Sequence, residues 1–335
     1  MKAPSNQEIR KFITTHFNDS DLNIFCFDYF PEVENNFAAG IRKNDKVIDL
    51  LTYCRTRQLM PNLLTNLQRE RPIIYQQEFD PQESFSISAP KTKEQPRQAY
   101  EPELCTVPSG SFIMGVDTPS TPEYERQHIV DLPTYAISRY PITNALYATF
   151  IKKTNHPRPS DWRGGRIPAR KEYFPVVYVS WHDAQAYCQW LSGQTNKLYR
   201  LPTEAEWEKA ARGKDGLLYP WGDEWRDNVC NYAGEGVTAV NAFPSGQSIY
   251  GCEDMLGNTR EWTSTLWGAD YRTPEYPYPY QPDDREDNEV SDYILRVTRS
   301  CNFKDGKPQA GSASRRCYAP TNKNAHRGFR IVLTS

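Results

Sequence analysis

This chain is poor in the residues that build metal and redox centres. Its 335 residues include five histidines, and its eight cysteines are scattered along the chain. No two cysteines form a CxxC pair. The cysteine spacing therefore predicts reduced thiols in the core of a cytoplasmic protein.

Long apolar runs and a strong charge imbalance are also missing. Without such a run, no segment is expected to span a bilayer, and residues 1–6 lack the apolar stretch of a secretory signal. The net charge of −2 argues against a polyelectrolyte tail or a general nucleic-acid binder. Aromatic residues reach 13%, which suits either a core or a contact surface.

Residues 1–75 have the hydrophobic spacing of short helices. Ser5 and Glu8 form a capping-box pattern at the start of the first helix. Further helices are expected after Asn18, after Asn44 and from Pro61. Each apolar stripe is too short to be stable alone, so we expect a small all-α bundle. His16 is expected to be a surface or partly buried residue.

The strings at residues 17–31, 45–55 and 63–72 resemble the bacterial effector-associated, death-like helical domains. The resemblance implies an adaptor that recruits an effector protein, such as a protease or an NTPase, through like-with-like contacts. A generic helical bundle is the alternative. Residues 76–102 are polar and aperiodic, and predict a flexible linker.

Residues 103–335 predict one domain with short strands and little regular structure. Strands are expected at 110–115, 128–133 and 135–140, and helices after Thr143, from Ser180 and after Thr203. Between these elements the chain is rich in tryptophan, whose side chains are expected to fill the core.

The order of motifs in this region is specific. It runs through PSGSFIMG (108–115), YPITN (140–144), PVVYVSW (175–181), YRLPTEAEWEKAARG (199–213), YPWG (219–222), LGNTREWT (256–263) and GFR (328–330). These motifs resemble the formylglycine-generating, sulfatase-modifying superfamily. The resemblance implies an α+β fold of C-type lectin type, preceded here by the small all-α death-like bundle.

The chemistries of that superfamily lose their ligands in this chain. Its oxidases hold copper with two cysteines, and these positions fall here on Asp305 and Ala310. Neither side chain replaces a soft thiolate for copper(I). The related iron-dependent sulfoxide synthases use three histidines, and no two histidines here have the spacing of an HxxxH motif. The sequence therefore predicts that the domain is not an enzyme.

The superfamily also includes the variable proteins of diversity-generating retroelements, whose C-terminal segment is mutated to make new binding surfaces. The closing segment resembles theirs at RVTR (296–299), SASR (312–315), PTNK (320–323) and GFRI (328–331). Where the family has Gly-Gly-Ser-Trp, this chain has Ser-Cys-Asn-Phe at residues 300–303. If those glycines hold a positive φ, the replacement costs local strain.

Residues between these fixed motifs are of mixed chemistry, as a binding surface requires. We read Arg296, Arg315, Pro320, Gly328, Phe329 and Arg330 as the frame. The predicted ligand contacts are Ser300, Cys301, Asn302, Phe303, Lys304, Asp305, Gln309, Ser314, Arg316, Cys317, Tyr318, Ala319, Thr321, Ala325 and His326. Alanine at Phe303 or Tyr318 is expected to weaken binding and to leave the melting temperature nearly unchanged.

The charge of the closing segment leaves one question open, and the tyrosine-proline run before it leaves another. Nine Lys or Arg and one acid lie between 296 and 335, and an acidic run at 283–289 precedes them, so the two segments could pair across the domain. The lack of a surrounding basic domain argues against phosphate or nucleic-acid binding by the basic tail. The tyrosine-proline run at 274–280 could be a contact loop, because prolines pre-order it, or a plain structural insertion.

The resemblance also implies a structural calcium site, near the motif at 257–262. Its ligands would be Asn231, Gly257, Thr259 and Glu261, since oxygen ligands suit calcium. The alternative is that Glu261 pairs with an arginine and Asn258 holds a turn. No other cofactor is required.

The favoured hypothesis is a non-catalytic receptor with a diversified C-terminal surface, coupled by its helical adaptor to an effector in bacterial signalling or defence. Its ligand would be a protein or another molecule that the sequence does not identify. One alternative is a formylglycine-generating type of metal-dependent oxidase with a rebuilt site. Another is a structural scaffold whose polar tail is plain surface.

Overall fold

The computed structural model describes residues 4–17, 22–23, 25–26, 29–34, 37, 41–70, 79, 98–117, 121–122, 125–281, 283–288, 290–307 and 311–334. The chain divides into two compact units, residues 1–96 and 97–335. No helix in the described part is long and apolar enough to cross a membrane.

The N-terminal unit is built from short helices. Their bounds are α1 Asn6–His16, α2 Pro31–Glu34, α3 Lys43–Thr56 and α4 Met60–Glu70. The predicted capping box is present, because Ser5 and Glu8 exchange hydrogen bonds at the start of α1. The predicted helix after Asn18 lies partly outside the described residues.

These helices bury a common apolar core, which includes Phe12 and Ile13 of α1, Leu50 of α3 and Leu63 of α4. Burial of such side chains against neighbouring helices, rather than helix propensity, stabilises helices this short. The prediction of a small helical bundle is confirmed for this unit.

The C-terminal unit contains short strands in separate sheets. Their bounds are β1 Leu104–Val107, β2 Gly110–Met114, β3 His128–Leu132, β4 Tyr135–Ser138, β5 Leu198–Arg200, β6 Arg260–Gly268, β7 Leu295–Arg299, β8 Arg315–Tyr318, β9 Arg327–Phe329 and β10 Val332–Thr334. The sheet orders are β1-β4-β10-β5, β2-β3 and β8-β7-β6-β9. The last sheet carries most of the closing segment of the chain.

Three helices pack on these sheets: α5 Asn144–Thr154, α6 Trp181–Thr195 and α7 Glu204–Arg212. The predicted caps Thr143 and Thr203 are confirmed, because each side chain accepts a hydrogen bond from a first-turn amide. Ser180, expected inside its helix, caps α6 in the same way. Ion pairs from β7 and β8 to Glu208 and Glu204 then hold α7 against the sheet that contains these strands.

The folded C-terminal unit begins earlier than the predicted boundary at residue 103. Glu101 is buried and accepts hydrogen bonds from Lys197 at 2.6 Å and Tyr199 at 2.9 Å. Tyr100 packs against Trp190, with ring centroids 5.9 Å apart. The end of the predicted linker therefore belongs to this unit, and most of the rest of the linker lies outside the described residues.

The core of this unit is aromatic, as the tryptophan content predicts. Its largest cluster surrounds Tyr147, Tyr187, Trp262 and Phe329. The rings of Tyr147 and Tyr187 stack at a centroid distance of 5.9 Å. Because Phe329 of the GFR motif enters this cluster, the end of the chain is anchored in the interior.

Candidate functional site

The arginines of the closing segment form a buried frame. Arg315 on β8 donates hydrogen bonds to both carboxylate oxygens of Glu204 on α7, at 2.8 and 2.9 Å, and both side chains are fully buried. Arg299 on β7 pairs with Glu208, one turn further along α7. Burial disfavours the charged form of Glu208, but Arg299 and Arg212 hold its pKa below the ordinary value.

Arg330 supplies the next member of this frame. It binds both oxygens of Glu261, at 2.6 and 2.9 Å, and donates to the carbonyl of Glu253 at 2.9 Å. Arg296 stacks on Trp181, 4.0 Å from the ring centroid, and donates to the carbonyl of Ser264 at 2.7 Å. These arginines are therefore structural, in agreement with their assignment to the frame.

Of the acidic partners in this frame, the sequence offered only Glu261, whose pairing with an arginine was the alternative to calcium binding and is present. Pairing of the basic tail with the acidic run at 283–289 was left open, and Arg299 and Arg315 pair instead with acids of α7. In the acidic run, Asp283 pairs with its own neighbour Arg285. Glu204 and Glu208 lie one helical turn apart in the motif around Trp207, and this spacing is the signal that could have identified them.

Positions between the frame residues reach the surface. On β8 the side chains alternate, because successive residues of a strand face opposite ways, so Arg315 is buried and Arg316 is exposed. Lys304, Asp305, Arg316 and Thr321 are exposed, and Ser314, Tyr318, Ala319, Ala325 and His326 are half-buried. We call this set the 304–326 surface.

Contacts within the fold bring separate parts of this surface together. Arg260 on β6 donates its backbone amide to the carbonyl of His326 at 3.0 Å and its guanidinium to Asp305 at 2.6 Å. Tyr318 covers the guanidinium of Arg327, 3.5 Å from the ring centroid. Two loops and one strand thus share one side of the sheet.

Five predicted contact residues are buried: Ser300, Cys301, Asn302, Phe303 and Cys317. Their side chains do not reach a ligand in this arrangement, because loop 300–303 folds inward against the chain around residue 234, where Gly234 donates to the carbonyl of Phe303 at 2.9 Å. The expectation that alanine at Phe303 spares stability is corrected on the same ground. Gln309 lies outside the described residues.

The residue that replaces the family glycine at position 300 does hold a left-handed conformation. Ser300 has φ +72°, a region that costs a residue with a Cβ about 1 kcal/mol or more. Hydrogen bonds fix it there, since its carbonyl accepts from Arg260 at 2.8 Å. The chain therefore makes a turn at Ser300 that a glycine would adopt at lower cost.

Asp305, one of the two positions that the resemblance relates to the copper cysteines of the oxidases, lies among polar contacts. Asp305 accepts hydrogen bonds from Arg260 at 2.6 Å and from the amide and side chain of Asn302, both at 2.8 Å. The nearby cysteines belong to different clusters, and burial raises the pKa of both Cys301 and Cys317 to about 11. Both are thiols at neutral pH, which weakens their use as copper ligands. Ala310 lies outside the described residues.

The residues proposed for calcium do not fit a cation in this arrangement. The two carboxylate oxygens of Glu261 are taken by Arg330, and one of them also accepts the indole N–H of Trp207 at 2.7 Å. The carbonyl of Asn231 accepts the amide of Asn258 at 2.8 Å. Within the described residues no group of His, Cys, Asp and Glu could hold a metal. Gly257 and Thr259 offer only backbone or hydroxyl oxygen beside this ion pair.

The tyrosine-proline run is packed into the fold. Tyr278 is buried and lies against Arg315, with the guanidinium 4.3 Å from its ring centroid. Tyr280 donates its hydroxyl to Glu286 at 2.6 Å. These contacts match a structural insertion. Tyr271, just before the run, is 58% exposed and its carbonyl accepts the thiol of Cys317, so it extends the 304–326 surface with a residue that the sequence did not indicate.

Glu286 holds this insertion and makes stability depend on pH. Burial raises the pKa of Glu286 to about 7 from an ordinary 4.5, against hydrogen bonds from Ser264, Thr265 and Tyr280. The pKa of the Glu286 carboxyl is higher in the folded chain than in the unfolded chain. The stability contributed by its bound proton is therefore fully present below pH 4.5 and is lost as the pH rises through 7.

Glu286→Gln should therefore gain stability relative to the parent chain between those pH values, measured by urea unfolding. A difference that is constant with pH would contradict this.

Comparison with known proteins identifies the fold. The sulfatase-modifying factor enzyme 1-like domain matches residues 88–335, and effector-associated domain 7 matches residues 9–72. The chain belongs to the sulfatase-modifying factor family. It is 30% identical over 315 residues to the formylglycine-generating enzyme of Thermomonospora curvata, covering 74% of this chain and 98% of that protein.

Two further proteins are similar to the sulfatase-modifying factor domain, one in sequence and one in fold. The mouse protein named inactive C-alpha-formylglycine-generating enzyme 2 is 31% identical over 232 residues, covering 52% of this chain and 73% of that protein. Treponema denticola variable protein 1 superposes with a TM-score of 0.56 at 21% identity, covering 69% of this chain and 95% of that chain. The family thus includes members named inactive, and this fold occurs in a variable protein.

Proposed function

We propose that this protein is a non-catalytic receptor that binds a ligand at the 304–326 surface and passes the event to an effector through its N-terminal unit. The observation that supports this most is the division of roles on β8 and its flanking loops. Buried arginines with fixed carboxylate partners hold the backbone, while the exposed positions between them differ in charge and size. A surface of this kind can change its side chains without losing the fold.

The absence of a thiolate pair at the copper position supports a non-catalytic role. Asp305 is engaged by Arg260 and Asn302, and the two neighbouring thiols are protonated at neutral pH because burial raises their pKa values. An oxidase of the formylglycine-generating type needs a soft ligand set there. Stoichiometric copper with turnover of a thiol peptide would restore that alternative.

The coupling to an effector follows from the match of residues 9–72 to effector-associated domain 7. Purified full-length protein should retain at least one protein from the same genome that carries a related domain. A variant with Leu50→Asp, which disrupts the helical core, should lose that partner. Failure of every such protein to bind would remove the adaptor from the proposal.

Diversification of the surface is tested on DNA. We expect a near-copy of codons 296–331 beside the gene, together with a reverse transcriptase gene. The near-copy should differ from the gene only where the copy carries adenine. The mismatched codons should fall on exposed positions such as Arg316 and Thr321 rather than on Arg315 or Arg330. Mismatches at the buried arginine codons would contradict the division of roles.

Binding gives the direct test of the exposed positions. A ligand captured on the immobilised protein should bind Arg316→Ala at least about tenfold more weakly, because exposed arginines and tyrosines supply much of the energy of protein interfaces. The melting temperature should stay within about 1 °C, since such surface changes shift stability by about 0.5 kcal/mol or less. Lys153→Ala, an exposed lysine on α5, serves as the matched control.

A further inference from the structure

Two cysteines from distant parts of the chain meet in the C-terminal unit. Cys105 is on β1, and Cys252 is on the segment before β6. Alternate residues of β1 face opposite ways, so Leu104 packs on one core cluster and Cys105 packs on the cluster that contains Cys252. The Sγ atom of Cys105 lies 3.8 Å from the position that a Cβ on Gly251 would take.

The two thiols share one core cluster, and each shifts the pKa of the other. The segments that carry them are both bonded to the residue that follows β4. Arg139, at the end of β4, donates its amide to the carbonyl of Glu103 at 2.7 Å and accepts the amide of Glu253 at 2.8 Å. These bonds tie the chain on either side of the thiols to the same strand. Both cysteines are free, and a disulfide requires the sulfur atoms to approach to about 2.05 Å.

The two thiols have different surroundings, which shift their pKa values in opposite directions. The neighbouring Cys252 thiol, and then the charges of Arg330 and Arg139, lower the pKa of Cys105 to about 7. The Cys105 thiol and burial raise the pKa of Cys252. Cys105 is half-buried and Cys252 is fully buried. An accessible thiolate beside a protected second thiol is the arrangement of an oxidation-sensitive site.

A second neighbouring pair provides an internal contrast. Cys230 and Cys301 share one buried cluster. Burial raises the pKa of Cys230 to about 12 and of Cys301 to about 11. Both therefore remain thiols at neutral pH and react slowly with oxidants.

We propose that Cys105 and Cys252 form a reversible oxidation site whose oxidant is a hydroperoxide. The Cys105 thiolate attacks the OH oxygen of the hydroperoxide, and the O–O bond breaks. Cys105 becomes a sulfenic acid, and the other oxygen departs as an alkoxide, or as hydroxide when the oxidant is hydrogen peroxide. The Cys252 sulfur then attacks the Cys105 sulfur. The S–O bond breaks, the S–S bond forms, and the Cys252 proton leaves with the hydroxyl as water.

The disulfide would act on the frame of the 304–326 surface. It joins β1 to the segment that carries Glu253, and the carbonyl of Glu253 accepts from Arg330 at 2.9 Å. A bond that closes so long a loop restricts the unfolded chain strongly, so the oxidised unit should melt about 5 °C or more above the reduced one. The oxidised form would link β1 covalently to the segment whose Glu253 carbonyl accepts a hydrogen bond from Arg330.

The test is peptide mass spectrometry on the full-length protein. Reduced protein is treated with hydrogen peroxide, and remaining thiols are alkylated. We expect a cross-linked peptide that joins Cys105 to Cys252, reversal by dithiothreitol, and alkylation of Cys230 and Cys301. Cys105 should react at least about tenfold faster than Cys317. Linkage of Cys230 to Cys301 at the same rate, or a Cys105 that stays alkylated when Cys317 is oxidised, would overturn the proposal.

Single substitutions separate the two roles. Cys252→Ser should leave Cys105 as a sulfenic acid that a dimedone probe captures, because the second thiol is gone. Cys105→Ser should abolish both the cross-link and the rise in melting temperature, and Cys317→Ser should preserve them. A dimedone-reactive Cys252 in the Cys105→Ser variant would reverse the assigned roles and refute the mechanism.

Discussion

Alanine at Arg315 should lower the free energy of unfolding by about 3–5 kcal/mol, which is the usual cost of breaking a buried ion pair from one side. Arg315 is fully buried and binds both oxygens of Glu204. Removal of the guanidinium leaves the Glu204 carboxylate in the interior, with Arg299 at 3.6 Å as its remaining cation. Urea unfolding of the full-length protein, followed through the tryptophans, measures the loss.

The neighbouring residue is the matched control. Arg316 has the same side chain one position along β8, but it is exposed. Arg316→Ala should therefore change the free energy of unfolding by about 0.5 kcal/mol or less. Adding Glu204→Gln to Arg315→Ala should recover at least about 1 kcal/mol, because the unpaired charge is removed. Equal losses from the two single substitutions would show that Arg315 is not part of a buried frame.

Alanine at Phe303 should cost about 3 kcal/mol of stability, the scale of removing a buried phenyl ring. The ring is 3% exposed and lies edge-on to His326, with centroids 6.5 Å apart. Both backbone groups of Phe303 are hydrogen-bonded, since its amide donates to the carbonyl of Asn258 and its carbonyl accepts from the amide of Gly234. The cavity would therefore not collapse easily, and the loop below the 304–326 surface would loosen.

Lys304 provides the comparison for this loop. It follows Phe303 directly, is exposed, and places its ammonium 5.7 Å from the ring centroid of Phe303. Lys304→Ala should leave stability within about 0.5 kcal/mol. Thermal and urea unfolding of both variants distinguish the two positions. If Phe303→Ala were as stable as Lys304→Ala, Phe303 would return to the set of ligand contacts.

Local signals in the sequence were sufficient for the helices. The pairs Ser5 with Glu8 and Thr203 with Glu206 form capping boxes at the starts of α1 and α7. A capping box is formed by residues three positions apart, so the sequence alone contains the whole pattern. The apolar spacing after Ser180 is equally local, and the helix α6 buries the expected face, including Tyr187 and Leu191.

The division of the closing segment into buried frame residues and exposed contact residues was predicted only in part. The motifs of Arg, Pro and Gly-Phe-Arg indicated a frame, and Arg315 and Arg330 are buried members of it. Sequence alone could not separate Phe303 from Lys304, because neighbouring loop residues carry no period that assigns one inward and the other outward. That choice depends on contacts with residues around 234 and 258, far away in the chain.

The sequence by itself determined the two-part organisation, the family, the capped helices and the loss of the copper cysteines, because each of these rests on residue identity or on short spacings. Tertiary structure alone decided which acid neutralises each arginine, that the tyrosine-proline run packs inside, and that Cys105 meets Cys252. The physical reason is that a buried charge or thiol must find its partner in space. That partner can lie far away along the chain, as Glu204 does at 111 residues from Arg315.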